Sequence, residues 1–155
     1  MYHKKLSFKW LAPCIVILVG LIAVDSVLAQ EKELNWASFE EAMELAKKED
    51  KPILVDVWAP WCGWCKKMQK EVYPELSNTL NKKFILTHLN RDDNETKKHF
   101  QHYSLTPLRL AQKLQVQSVP AIVMLSEEGE YLFHITGFVQ PEELEPLLEA
   151  VAAKY

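Results

Sequence analysis

Apolar residues along this chain fall into a few continuous runs, separated by stretches in which they recur at helical spacing. Ile53-Leu54-Val55-Asp56-Val57-Trp58 is apolar almost throughout and predicts a buried strand. Phe84-Ile85-Leu86-Thr87-His88-Leu89 and Ala121-Ile122-Val123-Met124-Leu125 predict a second and a third. Ahead of the first run, Ser38-Phe39-Glu40-Glu41 has the form of a capping box, in which the Ser and the Glu three residues on each satisfy an open N–H at a helix start. Phe39, Ala42, Met43, Leu45 and Ala46 then supply the apolar side of a helix running to about Glu49, which Asp50-Lys51-Pro52 ends. Between the first two strands, Lys66 to Val72 contains no Gly or Pro and predicts a helix. Pro74 has no N–H and clashes with the preceding turn, so it predicts a kink or break near Tyr73, with a second short helical piece from Leu76 to Lys82. Strand, helix and strand in this order predict a right-handed βαβ unit with parallel strands.

The second half is read in the same way. Asn90 to Gln115 is polar at first and then mildly amphipathic. Glu95–Tyr103 is expected to be helical, and Thr106-Pro107 reads as the N-cap and first residue of a helix through Leu108–Leu114. Glu128-Gly129 predicts a turn that pairs a fourth strand, Glu130–Thr136, with the third as a hairpin. Pro141-Glu142-Glu143-Leu144 starts a last helix to about Ala153, with acids suited to its first turn. The expected class is α/β: a central four-stranded mixed sheet with helices on both faces.

The N-terminus breaks the pattern. Lys4, Lys5 and Lys9 are followed by Trp10 to Val24, apolar apart from Pro13 and Gly20, and then by Ser26-Val27-Leu28-Ala29. Basic, apolar and small-residue segments in this order predict a secretory signal over residues 1–29, cut before Gln30. An uncleaved anchor is the alternative, but the apolar run is 15 residues long, short of the roughly 20 that span a bilayer. Cys14 opens the apolar run instead of following it, which does not suit lipidation, and it leaves with the signal. Residues 30–155 then form one domain of ordinary size. Loss of Lys4, Lys5 and Lys9 against Asp25 alone makes a chain of net charge −3 more acidic still, which gives no support for a nucleic-acid partner, and none is expected.

The chemistry is concentrated in Trp58-Ala59-Pro60-Trp61-Cys62-Gly63-Trp64-Cys65-Lys66. Two cysteines separated by two residues stand where the first strand gives way to a helix. The open N–H groups and positive dipole end of a helix start stabilise a thiolate. Cys62 is the better placed and more exposed of the two, and Cys65, one turn in, can close a disulfide on it. A structural role is a poor fit, since the ring closed is too small to restrain the unfolded chain. Zinc needs four ligands, and His99 and His102 lie over thirty residues away without zinc-like spacing, so they are expected to be solvated helix residues. No metal and no cofactor beyond the redox-active Cys62–Cys65 disulfide is expected.

Val55-Asp56-Val57-Trp58-Ala59-Pro60-Trp61-Cys62-Gly63-Trp64-Cys65-Lys66, followed by Val119-Pro120 and Thr136-Gly137-Phe138, resembles the thioredoxin family over about Phe39 to Ala152. The resemblance implies a thioredoxin fold, with Cys62 as attacking and Cys65 as resolving cysteine. It implies that Asp56 is a buried carboxylate able to take the resolving thiol's proton. Pro120 matches the family's cis-proline, which sets the Val119 backbone where an extended substrate can pair with it. Trp61, Gly63, Trp64, Val119, Pro120, Gly137 and Phe138 are the expected substrate-binding residues. His88 stands where many members carry a Lys near the buried Asp, either sharing its protons or capping a strand end. Trp64 replaces the Pro of the common Cys-Gly-Pro-Cys motif and brings no charge or His donor to Cys62, which argues against a strong oxidant. Asn90 to Gln115 is longer than in a minimal member.

The expected protein is thus an extracytoplasmic, for example periplasmic, thiol:disulfide oxidoreductase reducing protein disulfides. It is a monomer that meets the membrane only through its leader and is recharged by a membrane electron donor. A disulfide-donating oxidase or isomerase would use the same residues. A non-catalytic binding module would use the groove alone.

Overall fold

The computed structural model describes residues 33–155, so the leader, Cys14 and the cut before Gln30 lie outside the described residues. In chain order the elements are β1 (Trp36–Ala37), α1 (Phe39–Glu49), β2 (Ile53–Trp58), α2 (Gly63–Lys67), a π turn (Met68–Val72), α3 (Tyr73–Glu75) and α4 (Ser77–Lys83). There follow β3 (Ile85–Asn90), β4 (Lys98–Phe100), β5 (Tyr103–Leu105), α5 (Pro107–Lys113), β6 (Ala121–Leu125), β7 (Tyr131–Thr136) and α6 (Pro141–Ala152). Among the described residues no helix is long and apolar enough to cross a membrane.

The main sheet runs β1-β3-β2-β6-β7, with β1, β3 and β2 parallel and β6 and β7 antiparallel. It has five strands where four were expected. The addition is the two-residue β1, too short to give a period in sequence, which pairs Trp36 with Leu86 and Ala37 with Thr87. Period-two alternation along the central strands divides the core in two. Ile53, Val55 and Val57 pack with Phe39 and Ala42 of α1, Leu110 of α5 and Leu114 at the end of α5. Leu54, Leu86, Ile122 and Met124 pack on the other face with Met68, Val72, Tyr73, Leu80, Leu144 and Leu148. Asp56 has Leu54's parity, so it projects under the helix that follows the cysteines.

Two expectations need correcting. Pro74 was expected to kink or break the helix near Tyr73, and the distortion falls on either side of that residue instead. The helix widens ahead of it into one π turn, closed by the Tyr73 N–H on the Met68 carbonyl, and bends afterwards at Leu76. A wider turn accommodates a residue that can neither donate to nor sit close against the carbonyl four back. Secondly, Glu95–Tyr103 is not a helix: β4 and β5 form a small antiparallel hairpin with Gln101 at φ 54 in its turn. Asp93 does accept from the Glu95 and Thr96 N–H groups, at 2.9 and 3.0 Å, as a helix cap would. The segment has no apolar stripe to continue with, and only Phe100 is buried, edge-on against Phe39. His99 and His102 are therefore exposed on this hairpin rather than on a helix. The cap at Thr106, whose hydroxyl accepts from Arg109 N–H at 3.3 Å, and the helix behind it are as expected.

The turn at Glu128-Gly129 depends on its glycine. Gly129 has φ +80, and a Cβ there would lie 2.1 Å from Met43 Cε. Gly129→Ala is therefore expected to cost about 1–2 kcal/mol through backbone strain alone. The Met43 methyl, the far end of a flexible side chain, must also move aside at a smaller cost, so the Tm falls by several degrees. In a Met43→Ala background the loss shrinks to the backbone part. Equal losses in both backgrounds would show that the contact with Met43 is immaterial.

Candidate active site

β2 delivers the chain into the cysteines, and α2 begins directly after Cys62. Cys62 is the N-cap in extended conformation, and its sulfur accepts the Cys65 N–H at 3.0 Å. Its own N–H donates to the Ala59 carbonyl at 3.0 Å, which fixes the entry into the helix. The two cysteines are joined as a disulfide with Cα atoms 5.3 Å apart. Cys62 is 4% exposed and Cys65 not at all, so the expected order of access holds, although both are buried. An N–H aimed at the Cys62 sulfur in the disulfide is also positioned to hold a thiolate once the bond is opened. Ala59, Trp58 and Val119 pack around the pair.

Asp56 is wholly buried, and three side chains serve its carboxylate. Gln69 Nε2 donates at 2.8 Å and the Tyr73 hydroxyl at 2.9 Å, while His88 Nδ1 lies at 3.0 Å. The β2–β3 register places His88 directly beside Asp56. Of the two roles open to His88, sharing the Asp56 network is the one the structure shows. Gln69 and Tyr73 are one π turn apart and so reach the same carboxylate, and Cys65 stands four residues before Gln69 on the same side of the helix. Burial, and after it the charge and hydrogen bond of Asp56, push the Tyr73 phenol well above its ordinary value, so it remains a donor throughout the neutral range. Trp36 closes the network, stacked on His88 at 3.7 Å and edge-on to Tyr73 at 5.7 Å between ring centroids. His88 reaches solvent, its side chain being 35% exposed.

The expected groove residues gather around the disulfide. The Val119-Pro120 peptide is cis, and the Pro120 carbonyl accepts the Gly137 N–H at 2.8 Å, which ties the loop after β7 to the proline. Trp61 is 69% exposed, with its indole N–H bonded to the Asp92 carboxylate at 2.5 Å. Trp64 is 58% exposed and leans on Phe138. A Cβ on Gly63 would meet nothing within 4 Å, so the surface between the two cysteines in sequence is open at that residue. Among the described residues no group of three or more His, Cys, Asp and Glu side chains is placed to hold a metal ion.

Sequence reasoning missed Gln69, Tyr73, Trp36 and Asp92. The four-residue spacing Cys65-Gln69-Tyr73 is a signal that could have pointed to the first two. Nothing local marks Asp92, one of several acids in a long polar stretch, or Trp36 in a strand of two residues.

Comparison with known proteins agrees with this geometry. Residues 39–152 match the family described as thioredoxin-like domain. The thioredoxin of Alicyclobacillus acidocaldarius subsp. acidocaldarius is 30% identical over 119 residues, covering 76% of this chain and 94% of that one. A thioredoxin structure from Thermus thermophilus aligns with a TM-score of 0.64 at 22% identity, over 78% of this chain and 88% of that chain. The structure of the oxidoreductase DsbH aligns with a TM-score of 0.56 at 22% identity, over 77% and 85%.

Proposed function

This chain belongs to the thioredoxin-like family and is a thiol–disulfide oxidoreductase; from that premise we propose that it works outside the cytoplasm and in the reducing direction. The observation that carries the direction is how little holds the Cys62 sulfur. Among the described residues its hydrogen bond comes from the Cys65 N–H alone, and the two residues between the cysteines are Gly63 and Trp64. A strong oxidant stabilises its thiolate heavily, and a sparsely held thiolate favours giving electrons away. The N-terminal basic, apolar and small-residue order supports export.

In the reducing direction the Cys62 thiolate attacks one sulfur of a substrate disulfide. The Cys62–substrate bond forms as the substrate bond breaks, and the first substrate thiolate leaves and takes a proton from water. Cys65 gives its proton toward Asp56, on the same side of the helix, and attacks the Cys62 sulfur. The Cys62–Cys65 bond forms and the second substrate thiolate departs, so two electrons have passed from the dithiol to the substrate. Of the three groups on Asp56, His88 is the one with a basic nitrogen and a path to water, so it returns the proton to solvent. The Val119 backbone and the rings of Trp61, Trp64 and Phe138 receive the substrate chain. No cofactor takes part, and the oxidised pair is recharged by a membrane protein that carries electrons outward, because free reductant is scarce outside the cytoplasm.

Equilibration of the purified chain with glutathione redox buffers tests the direction. A potential near about −270 mV supports the reductant, and one of about −180 mV or higher assigns the oxidising or isomerising role instead. Fractionation of cells should recover a chain starting at Gln30 outside the cytoplasm, and its retention inside would refute export.

A further inference from the structure

The helix after Cys62 adds a charge to the groove, Lys67, that the exchange of disulfides does not itself require. Trp64 is exposed yet held, its ring centroid 5.1 Å from that of Phe138. Lys67 Nζ stands 5.5 Å from the Trp64 centroid and 5.1 Å from that of Phe138. Lys66, beside it in sequence, is exposed as well. In a chain of net charge −3, this places a cationic and aromatic patch next to the reactive sulfur. The ion partner of Lys67 among the described residues is Glu71, at 3.7 Å, with side chains 41% and 63% exposed. Such a pair is loose and worth little, so an incoming carboxylate can replace it. Cys62 is nearly buried while Trp61 and Trp64, on either side of it in sequence, are exposed, so a substrate sulfur that reaches it brings its flanking chain near these rings.

We propose that Trp64, Phe138 and Lys67 form a specificity site for protein disulfides whose cysteine-bearing segment is extended and carries an apolar or aromatic side chain together with an acidic one. The apolar group packs on Trp64 and Phe138, and the carboxylate takes the place of Glu71 on Lys67. Charge complementarity selects this occupant: the patch is basic within an acidic molecule, and the reaction already brings a cysteine segment to it. The inference rests on the thiol-exchange reading above and adds the substrate class.

The test uses the Cys65→Ser chain and short cysteine peptides activated as thiopyridyl disulfides. The Cys62 thiolate attacks the peptide sulfur, the Cys62–peptide bond forms, and thiopyridone leaves with the electron pair and is read by absorbance. Three peptides share a Phe beside the cysteine and differ in one further neighbour, Glu, Gln or Lys. The Glu peptide is expected to react about two- to fivefold faster than the Lys peptide at low salt, the range of an exposed ion pair. The ratio should fall toward one in high salt. Lys67→Gln should also bring it toward one, whereas Glu71→Gln, which removes the internal competitor, should raise it. A purely structural Lys67–Glu71 pair would not shift the ratio in opposite directions. A Glu-to-Lys ratio of one in the unsubstituted patch, or a ratio that neither substitution moves, overturns the proposal. Failure of the reduced native chain to react with neutral dithiodipyridine faster than free cysteine would instead overturn the thiol-exchange reading beneath it.

Discussion

Cys62→Ser should reduce insulin disulfides no faster than a protein-free control, a loss of about 10³-fold or more, whereas Cys65→Ser should stall with substrate attached. The asymmetry follows from position. Cys62 caps the helix and is the less buried of the pair, while Cys65 lies one turn in and wholly buried. The first variant lacks the attacking sulfur. The second keeps it but cannot displace the substrate, so a mixed disulfide accumulates that mass spectrometry can identify from a cell extract. In the reduced native chain, alkylation at neutral pH should fall on residue 62 before residue 65. Mixed disulfides forming on Cys65 in the Cys62→Ser chain would reverse the assignment.

Asp56→Asn should slow turnover by about 10²-fold, the usual scale of a lost acid–base group, and should do so at the second step. The side chain keeps its volume in the core. It can no longer take a proton from Cys65, and its amide now faces three groups arranged for a carboxylate: Gln69, Tyr73 and His88. Stopped-flow measurement should show a first attack of undiminished amplitude followed by slow resolution, with the mixed disulfide visible between them. Unchanged turnover would remove Asp56 from the mechanism and leave it as a buried structural acid.

The Asp56 network also marks how far the chemistry could be read in advance. Burial of Asp56 was legible because it interrupts an apolar run, and its wholly buried position agrees. Its partners were not. Gln69 and Tyr73 share a helix face at four-residue spacing, a signal that was present but unread, and the π turn between Met68 and Val72 is a local adjustment that propensity represents only as a kink or break. His88 was placed near Asp56 by resemblance. The parallel register of β2 and β3 brings the two residues abreast, and the stacked Trp36 fixes the ring. The Glu95–Tyr103 segment shows the opposite failure: it was expected to be helical, and in the structure Asp93 even accepts N–H groups as a cap would, but without an apolar stripe there was nothing to hold a helix against the core.

The four long strands, the helices that flank them and the cysteine pair at a helix start were determined by sequence alone. Each is written in a short window, as a run of apolar residues, a cap or a period. The fifth strand, the hairpin within residues 90–115, the grouping of Gln69, Tyr73, His88 and Trp36 on Asp56, and the hold of Asp92 on Trp61 were decided only in three dimensions. These contacts join residues from distant parts of the chain, through strand register and hydrogen bonds. No single segment carries enough free energy to specify such contacts before the sheet and its helices have come together.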